Sequence, residues 1–421
     1  MSIQLKCLGA TQEIGRSAFF VGTKRTKLLL DYGTLMSDEP GFPMHVPPKE
    51  VDAIVLTHAH LDHSGGVPIF QIYESKPVFG TALTFELAHL LISDFIHLSG
   101  YYLPFEYLDL ENMIRNTVPL KYGREVKMGD LQFSILDAGH LPGSAQVLVK
   151  SGKKRILYSG DINTIDTQLL KGAPNMFEEE LDAVVLESTY ALRDHPDRAL
   201  LESSFVEEAT RVVEDGGTVL VPAFGVGRSQ EILCVLASRN FRYPIWVDGM
   251  TRKANEMLAR NSESLRDPTS FKEAVGRANM IHGWSDRRNA VKKPGVIIAP
   301  AGMLKGGTAV LYMEKLYSKP EHAVFLVSFQ IPGTPGRELM DTGRFLVKGK
   351  SKDVQAEVKH FDFSSHSGRK ELHEMVKSLK GDPLVLTVHG DEDSCKTLAN
   401  DIKEEIGLSA VSPQAGDIFK I

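Results

Sequence analysis

The chain has 421 residues, of which 42% are hydrophobic and 24% charged, with a net charge of −6 and a pI near 6.2. This composition is ordinary for a globular protein, and no run reaches the roughly 18 apolar residues that a membrane-spanning helix needs. The three scattered cysteines form no C-x-x-C pair, which excludes a disulfide framework and favours reduced thiols in a cytoplasmic protein.

Strand and helix patterns alternate along the first half of the chain. Short β-branched runs predict strands at 3–9, 17–21, 27–31, 53–57 and 77–80, followed by an amphipathic helix over 81–100. Further strands are predicted at 131–138, 146–150, 155–159 and 183–187. Short paired strands before longer crossovers indicate mixed sheets covered by helices.

The middle of the chain has the pattern of a small parallel α/β domain, which we place at about 190–350. A helix over 198–214 precedes apolar strands at 218–222, 243–248, 295–299 and 323–328, and a basic hairpin is predicted at 342–352. The end of the chain returns to the first pattern, with a helix over 368–379 and a strand over 384–389.

Charge is unevenly distributed between these parts. Residues 190–350 contain 23 Lys and Arg against 18 Asp and Glu, so this part carries +5 and the remainder −11. A basic middle part beside an acidic part that holds cations suits a polyanionic substrate. An unevenly charged, solvated surface is the alternative.

Three histidines and an aspartate follow the strand at 53–57 within six positions. Side chains alternate along a strand, so His58 and His60 point to one side, while Asp62 and His63 come from the start of the next helix. Imidazole and carboxylate donors suit zinc, and burying four such groups without a metal would be costly. The cluster therefore predicts a metal centre.

Other strand ends carry the further ligands that such a centre needs. His140, Asp161 and His389 each lie at the end of a predicted strand, beside a glycine. Sorted by charge and number, His58, His60 and His140 hold one ion, Asp62, His63 and His389 hold a second, and Asp161 bridges the two. Asp31, at another strand end, is predicted to accept a hydrogen bond from a ligand histidine.

These residues resemble the metallo-β-lactamase superfamily, through His58-x-His60-x-Asp62-His63 with His140, Asp161 and His389. The long separation between Asp161 and His389 resembles that of the β-CASP branch of this superfamily, in which a second domain is inserted before the last histidines. Glu187 resembles the motif A acid of that branch, His366 motif B and His389 motif C. The stretches 222–228, 302–307 and 333–337 support the resemblance.

The resemblance implies an α/β fold, with an αββα metallo-β-lactamase core and an inserted parallel α/β (β-CASP) domain. We place the first part of the core at 1–189, the inserted domain at 190–350 and the second part of the core at 351–421. We expect the active site between core and inserted domain. We expect no appended RNA-binding domain, so that substrate grip comes from the cleft and the inserted domain, with homodimerisation as a further source.

The resemblance also implies a zinc-dependent ribonuclease that hydrolyses phosphodiester bonds of single-stranded RNA with a hydroxide activated by two Zn²⁺ ions. His366, held by Glu187, would protonate the leaving oxygen, which agrees with the use of a carboxylate-bound imidazole as a general acid. We count Asp62 among the catalytic residues as well as the ligands. The products would be 5′-phosphate and 3′-hydroxyl ends.

Glycine loops of the middle part are the predicted RNA contacts. Residues 225–227 follow a strand and open a helix, but Gln230 stands where a dinucleotide fingerprint needs its third glycine. A phosphate cradle at the helix start explains this loop at least as well, and a packing turn is the structural alternative. The predicted RNA-binding residues are Arg228, Ser328, Gln330, Arg337 and Ser364.

Two other functions stay open at this point. A small-molecule metallo-hydrolase of glyoxalase or lactonase type would keep the fold but leave the long insertion and His366 unexplained. A non-catalytic RNA-binding scaffold would leave the complete ligand set unexplained. Endonuclease and 5′–3′ exonuclease action, RNA or DNA preference, dependence on 5′ phosphorylation, oligomeric state and physiological metal are open as well.

Overall fold

The computed structural model describes residues 3–35, 39–174 and 179–421. It divides into two compact units. Unit 1 comprises residues 1–166, 172–194 and 366–421, and unit 2 comprises residues 167–171 and 195–365. The domain boundaries predicted from the sequence, at 190 and 350, concern the family's domains and stay predictions.

The strands and helices of unit 1 before the insertion are, in chain order, β1 (Gln4–Cys7), β2 (Phe19–Gly22), β3 (Lys27–Leu30), β4 (Ala53–Val55), α1 (Leu61–Ser64), β5 (Val78–Gly80), α2 (Ala82–Ser99), α3 (Tyr107–Arg115), β6 (Thr117–Pro119), β7 (Val126–Met128), β8 (Leu131–Asp137), β9 (Ala145–Ser151), β10 (Lys154–Tyr158) and β11 (Ala183–Glu187).

The elements of unit 2 follow as α4 (Arg198–Glu214), β12 (Thr218–Ala223), α5 (Arg228–Ser238), β13 (Ile245–Val247), α6 (Thr251–Arg260), α7 (Pro268–Arg277), β14 (Asn279–Met280), α8 (Trp284–Ala290), β15 (Gly295–Pro300), α9 (Gly307–Leu316), β16 (Ala323–Leu326), α10 (Pro335–Thr342), β17 (Arg344–Val347), β18 (Lys350–Asp353) and β19 (Glu357–His360). Unit 1 resumes with α11 (Arg369–Ser378), β20 (Leu384–Val388), α12 (Glu392–Asp401), β21 (Ala410–Val411) and β22 (Ile418–Lys420).

Unit 1 contains two seven-stranded mixed sheets that share one apolar core. The first has the order β22-β1-β2-β3-β4-β5-β6 and the second β21-β20-β11-β10-β9-β8-β7. Inward-facing side chains of both sheets, such as Val55 of β4 and Val185 of β11, meet in one cluster. The alternate residues of β11, Val184 and Leu186, pack instead with α11 and α12 on the outer face. Both faces of the second sheet are therefore covered, as the αββα prediction requires, and that fold class is confirmed.

Unit 2 is built on a six-stranded sheet in which every pairing is parallel, with the order β14-β13-β15-β12-β16-β19. Val219 and Val221 of β12 lie in one buried cluster and Leu220 lies in a second, on the opposite face. The continuous apolar run of this strand follows, because a parallel sheet is buried on both faces. The predicted inserted α/β domain is confirmed, and β17 and β18 form the predicted basic hairpin.

An aromatic cluster packs α4 against this sheet. The ring of Phe205 makes edge contacts with Phe361 and Phe363, with centroids 5.2 Å away in both cases, and with Phe325 at 5.7 Å. Such edge-to-face pairs add to the free energy that burial of the rings already contributes.

We predict that Phe205→Ala destabilises unit 2 by about 3–5 kcal/mol, because it leaves a cavity among three rings. Urea unfolding followed by tryptophan fluorescence measures this directly, since both tryptophans, Trp246 and Trp284, lie in unit 2. Leu200→Ala on the same helix is the matched control, because that side chain is 72% exposed. Equal unfolding midpoints for the two variants would contradict the conclusion that Phe205 stabilises unit 2.

Candidate metal centre

Seven side chains of unit 1 converge into two groups that share one member. His58, His60, His140 and Asp161 form one group, and Asp62, His63, Asp161 and His389 form the other. Within each group the candidate ligand atoms all lie within 4.8 Å of one another. These seven are the residues that the sequence predicts as ligands, and their binding of metal stays a prediction.

Strand ends of both sheets deliver these side chains. His58 and His60 lie between β4 and α1, and Asp62 and His63 lie on α1 itself. The remaining three, His140, Asp161 and His389, follow β8, β10 and β20 of the second sheet. The centre therefore depends on two sheets whose relative position is set by their shared core.

The two carboxylate oxygens of Asp161 face different histidines. Oδ2 lies 3.5 Å from Nε2 of His58 and 3.5 Å from Nε2 of His140. Oδ1 lies 3.1 Å from Nε2 of His63 and 3.4 Å from Nδ1 of His389. One buried carboxylate thus stands between two sets of imidazoles.

Asp31 supports the second group from behind. Its Oδ2 lies 2.7 Å from Nδ1 of His63, and it accepts hydrogen bonds from the backbone N–H of Thr57 at 2.7 Å and from the hydroxyl of Tyr158 at 2.9 Å. Burial, followed by the charge of Asp31, raises the pKa of Tyr158 well above its ordinary value, so the phenol keeps its proton and donates. A carboxylate in this position fixes the orientation of a ligand histidine.

Backbone geometry at the centre is unusual at two residues and tight at a third. Asp31 has a φ of +56° and His389 of +51°, a left-handed region that disfavours residues other than glycine. Gly33 lies so close to α1 that a Cβ there would stand 1.7 Å from the carbonyl oxygen of Asp62. The chain thus adopts costly conformations where they aim Asp31 and His389 at the centre.

Hydroxyl side chains that were not predicted from the sequence also contact the candidate ligands. The hydroxyl of Thr189 lies 3.2 Å from Nδ1 of His389, and that of Ser17 lies 3.1 Å from Nε2 of His63. Thr57 immediately precedes His58, and its hydroxyl lies 3.1 Å from Nδ1 of that ring. Adjacency to a ligand was the only signal for Thr57, and proximity to Glu187 the only one for Thr189.

The electrostatics of the first group favour cation binding. Burial lowers the pKa of His58 well below its ordinary value and that of His60 to about 4, so both rings are neutral near pH 7. Burial alone would raise the pKa of Asp161, but the charges of His389 and His63 lower it well below the ordinary value. Neutral imidazoles beside an ionised carboxylate are the protonation states that a metal requires.

In the second group, carboxylates hold protons on the rings. Burial would lower the pKa of His63 and His389, but Asp161 raises both, with Asp31 also acting on His63 and Asp62 on His389. For Asp62, burial alone would raise the pKa, but the hydrogen bond with His389 outweighs burial and the pKa lies below its ordinary value. A divalent cation would replace these protons, because its charge satisfies the same carboxylates.

One buried atom tests directly whether a metal fits. Nε2 of His58 is buried and makes no hydrogen bond among the described residues. A buried polar atom without a partner is costly, so a ligand on this nitrogen would remove a penalty. The imidazole and carboxylate donors present suit zinc or another first-row transition metal rather than magnesium or calcium.

A third group adjoins the two. Nδ1 of His366 lies 2.8 Å from Oε1 of Glu187, and His366, Glu187 and Asp161 offer atoms within 4.8 Å of one another. Glu187 also accepts hydrogen bonds from the backbone N–H groups of Ile162 at 2.9 Å and Thr189 at 3.2 Å, which hold the carboxylate in place. The predicted pair is therefore adjacent to the shared carboxylate of the centre.

The predicted RNA contacts lie in unit 2. Arg228 donates to the hydroxyl of Ser365 at 3.1 Å, while Ser364 offers its carbonyl oxygen to Arg198. Gln330 is buried and donates to the carbonyl oxygens of Ser328 and Gly302, so its amide supports the backbone. Arg337 is paired with Asp341 one turn along α10. Their contact with RNA stays a prediction.

Among the residues that the structure describes, no helix combines the length and apolar character needed to cross a bilayer.

Comparisons with known proteins match almost the whole chain. Residues 12–198 match the family model of the metallo-beta-lactamase superfamily, and residues 229–339 match the Beta-Casp domain. Residues 351–413 match the Zn-dependent metallo-hydrolase RNA specificity domain.

Archaeal proteins are similar over the same length. RNase aCSPSF2 of Saccharolobus solfataricus is 43% identical over 99% of this chain and 85% of its own length. Probable RNase MJ4 of Methanocaldococcus jannaschii is 33% identical over 98% of this chain and 99% of its own. Transcription termination factor FttA of Pyrococcus abyssi is 32% identical over 100% of this chain and 71% of its own.

A crystal structure of a protein of unknown function from Enterococcus faecalis V583 superposes with a TM-score of 0.62, at 14% identity and with both chains fully covered. At that identity the likeness concerns the fold alone. The sequence relatives, the three family models and the shared-carboxylate geometry agree with one another: the chain belongs to the metallo-β-lactamase superfamily, in its β-CASP branch of nucleases.

Proposed function

We propose that this protein is a zinc-dependent ribonuclease that hydrolyses phosphodiester bonds of single-stranded RNA at a centre of two zinc ions. The position of Asp161 carries the proposal, because its two oxygens face two separate histidine sets. The match of residues 351–413 to an RNA specificity domain and the names of the relatives support RNA as the substrate. A cytoplasmic location and a homodimer belong to the same proposal.

The residues present would hold the ions in a defined way. His58, His60 and His140 would bind one, Asp62, His63 and His389 the other, and Asp161 both. When bound, two such cations lower the pKa of water and neutralise the charge that develops on the phosphate. Asp31, Thr57 and Thr189 orient the ligand rings through their hydrogen bonds.

His366 supplies the proton that the leaving oxygen needs. Glu187 contacts its Nδ1, which orients the ring for proton transfer. The ring also stacks on Tyr190, with centroids 6.1 Å apart and planes inclined by 29°. Water gives up one proton to solvent and attacks phosphorus while the bond to O3′ breaks. The proton of His366 passes to O3′, leaving 5′-phosphate and 3′-hydroxyl ends.

We predict that Asp161→Asn abolishes RNA cleavage and lowers the bound metal below two ions per chain, because no carboxylate remains to hold both. His58→Ala should do the same through loss of one ligand of the first ion. Cleavage of labelled RNA, metal content by mass spectrometry and the melting temperature are measured together. His97→Ala, an exposed histidine outside the three groups, is the control. Near-normal turnover by a folded Asp161→Asn protein would refute the mechanism.

Metal removal gives a second prediction. Dialysis against a chelator should abolish cleavage, and titration with Zn²⁺ should restore it fully only at about two equivalents per chain. Mg²⁺ should not restore it, because that ion prefers oxygen donors and the centre is rich in imidazole. Full recovery at one equivalent would contradict a two-ion centre while leaving a metal-dependent hydrolase in place.

A leaving-group test isolates the role of His366. We predict that His366→Ala lowers cleavage of ordinary RNA by about 10²–10⁴-fold, the usual contribution of a general acid. With a 3′-bridging phosphorothiolate linkage the loss should be much smaller, because a thiolate leaves without a proton. Rates for both linkages are measured with wild type and His97→Ala beside the variant. Equal losses on both linkages would show that His366 does not protonate the leaving group.

The mode of attack is read from the products. RNAs with a 5′ triphosphate, monophosphate or hydroxyl end are digested in parallel. Mononucleotides released only from monophosphorylated ends indicate a 5′–3′ exonuclease, whereas internal fragments independent of the end indicate an endonuclease. Parallel assays with single-stranded DNA and with a thioester or lactone decide substrate class.

A further inference from the structure

Unit 2 exposes one tryptophan that its core does not use. Trp284 begins α8 and is 63% exposed, although tryptophan is among the side chains that gain most from burial. The other tryptophan of the chain, Trp246, lies on β13 and packs against a buried cluster. Trp284 therefore presents a large aromatic surface to solvent.

The ring of Trp284 is held in place from one side. The guanidinium of Arg287, one turn along α8, lies 5.0 Å from the ring centroid. Arg287 is itself anchored by two hydrogen bonds to Asp248, at 2.8 and 3.2 Å, and Asp248 also accepts one from Tyr312 at 2.7 Å. A ring fixed in this way loses little conformational entropy when a ligand stacks on it.

Several basic residues lie close to Trp284 along the chain. Arg288 follows Trp284 by four positions and so lies on the same face of α8. It is exposed and makes no ion pair within the described residues. His282 precedes the helix and contacts Arg252 of α6. Over residues 282–293, four Arg and Lys stand against a single acid, Asp286.

The position of these residues on the sheet is one that ligands commonly occupy. His282 and Trp284 come directly after β14, and Arg252 comes after its parallel neighbour β13, so all follow the carboxyl ends of strands. Open parallel sheets bind ligands outside the carboxyl ends of their strands. We call Arg252, His282, Trp284, Arg287 and Arg288 the Trp284 patch.

A second exposed aromatic surface, on unit 1, shows what distinguishes this patch. Tyr101 is 103% exposed and Tyr102 61%, close in sequence to α3. Residues 98–115, however, contain three acidic residues and a single basic one, Arg115. A polyanion is disfavoured there, whereas the Trp284 patch combines a stacking ring with Arg252 and Arg288, which make no ion pair among the described residues.

We propose that the Trp284 patch is a contact site for single-stranded RNA, in which a base stacks on Trp284 while Arg288 and Arg252 contact the flanking phosphates. This proposal rests on the proposed function only because it takes RNA as the ligand. The contact it adds involves residues other than the five that were predicted from the sequence. Stacking is tolerant of base identity, since every base has a π-face, so the patch contributes affinity rather than sequence specificity.

Fluorescence of the holoenzyme tests this directly. Rapid mixing with a 12-nucleotide oligouridylate should quench the exposed Trp284, and Trp284→Ala should raise the Kd by about fivefold to 100-fold, the usual range for one stacked base. Binding by the variant is followed by anisotropy of a labelled oligonucleotide. Arg288→Ala should remove one phosphate contact and so lower the slope of log Kd against log salt concentration by about one. This change does not require stacking on Trp284.

Tyr101→Ala is the matched control and should bind like wild type, because it removes an exposed ring from an acidic surface. Wild-type hydrolysis of bis-p-nitrophenyl phosphate reports separately whether the metal centre works. Loss of that hydrolysis would count against the proposed function and leave the binding result to be read independently. A folded Trp284→Ala protein that binds the oligonucleotide as tightly as wild type would overturn the proposal.

Discussion

A single buried carboxylate is the constraint on which the centre depends. Asp161 is withdrawn from solvent, and an ionised carboxylate without compensating charge is among the most costly groups to bury. The protonated rings of His63 and His389 supply that compensation beside one oxygen, and the rings of His58 and His140 lie beside the other. These imidazoles come from α1 and from the ends of strands in both sheets, so the carboxylate can be satisfied only when the sandwich is assembled.

Two residues of the centre adopt backbone conformations that residues other than glycine disfavour. Asp31 and His389 adopt left-handed backbone conformations that cost of order 1–3 kcal/mol each. The large shared core of unit 1 offsets this cost, because it fixes the strands that precede these two residues. The hydrogen bonds of Thr57, Tyr158 and Thr189 then leave the ligand rings little freedom. Rigid placement of this kind is what a metal centre needs, since small displacements of ligands weaken binding.

The sheet of unit 2 restricts where its functional side chains can lie. Its parallel sheet is buried on both faces, so its chemistry is confined to the ends of strands and the starts of helices. Several polar residues there serve the fold, as Gln330 does by donating to two backbone carbonyl groups. Trp284 and Arg288 differ, because exposure leaves them available to a ligand.

The sequence by itself determined the fold class and the identity of the converging side chains. His58, His60, Asp62 and His63 are close along the chain, and their types allow few uses other than metal binding. His140, Asp161 and His389 were recognisable because strand ends of one sheet meet at one edge and because the spacing resembles a known family. The pair of Glu187 and His366 was identified by resemblance alone, since 179 residues separate the two.

Only the tertiary structure decided which atoms face each other. That the two oxygens of Asp161 divide the histidines, or that Tyr158 reaches Asp31 across 127 positions, depends on strand register and sheet packing. The Trp284 patch was likewise invisible, because a tryptophan near basic residues reads equally well as core. Exposure and three-dimensional neighbours are collective results of packing, and no local pattern of residues encodes them.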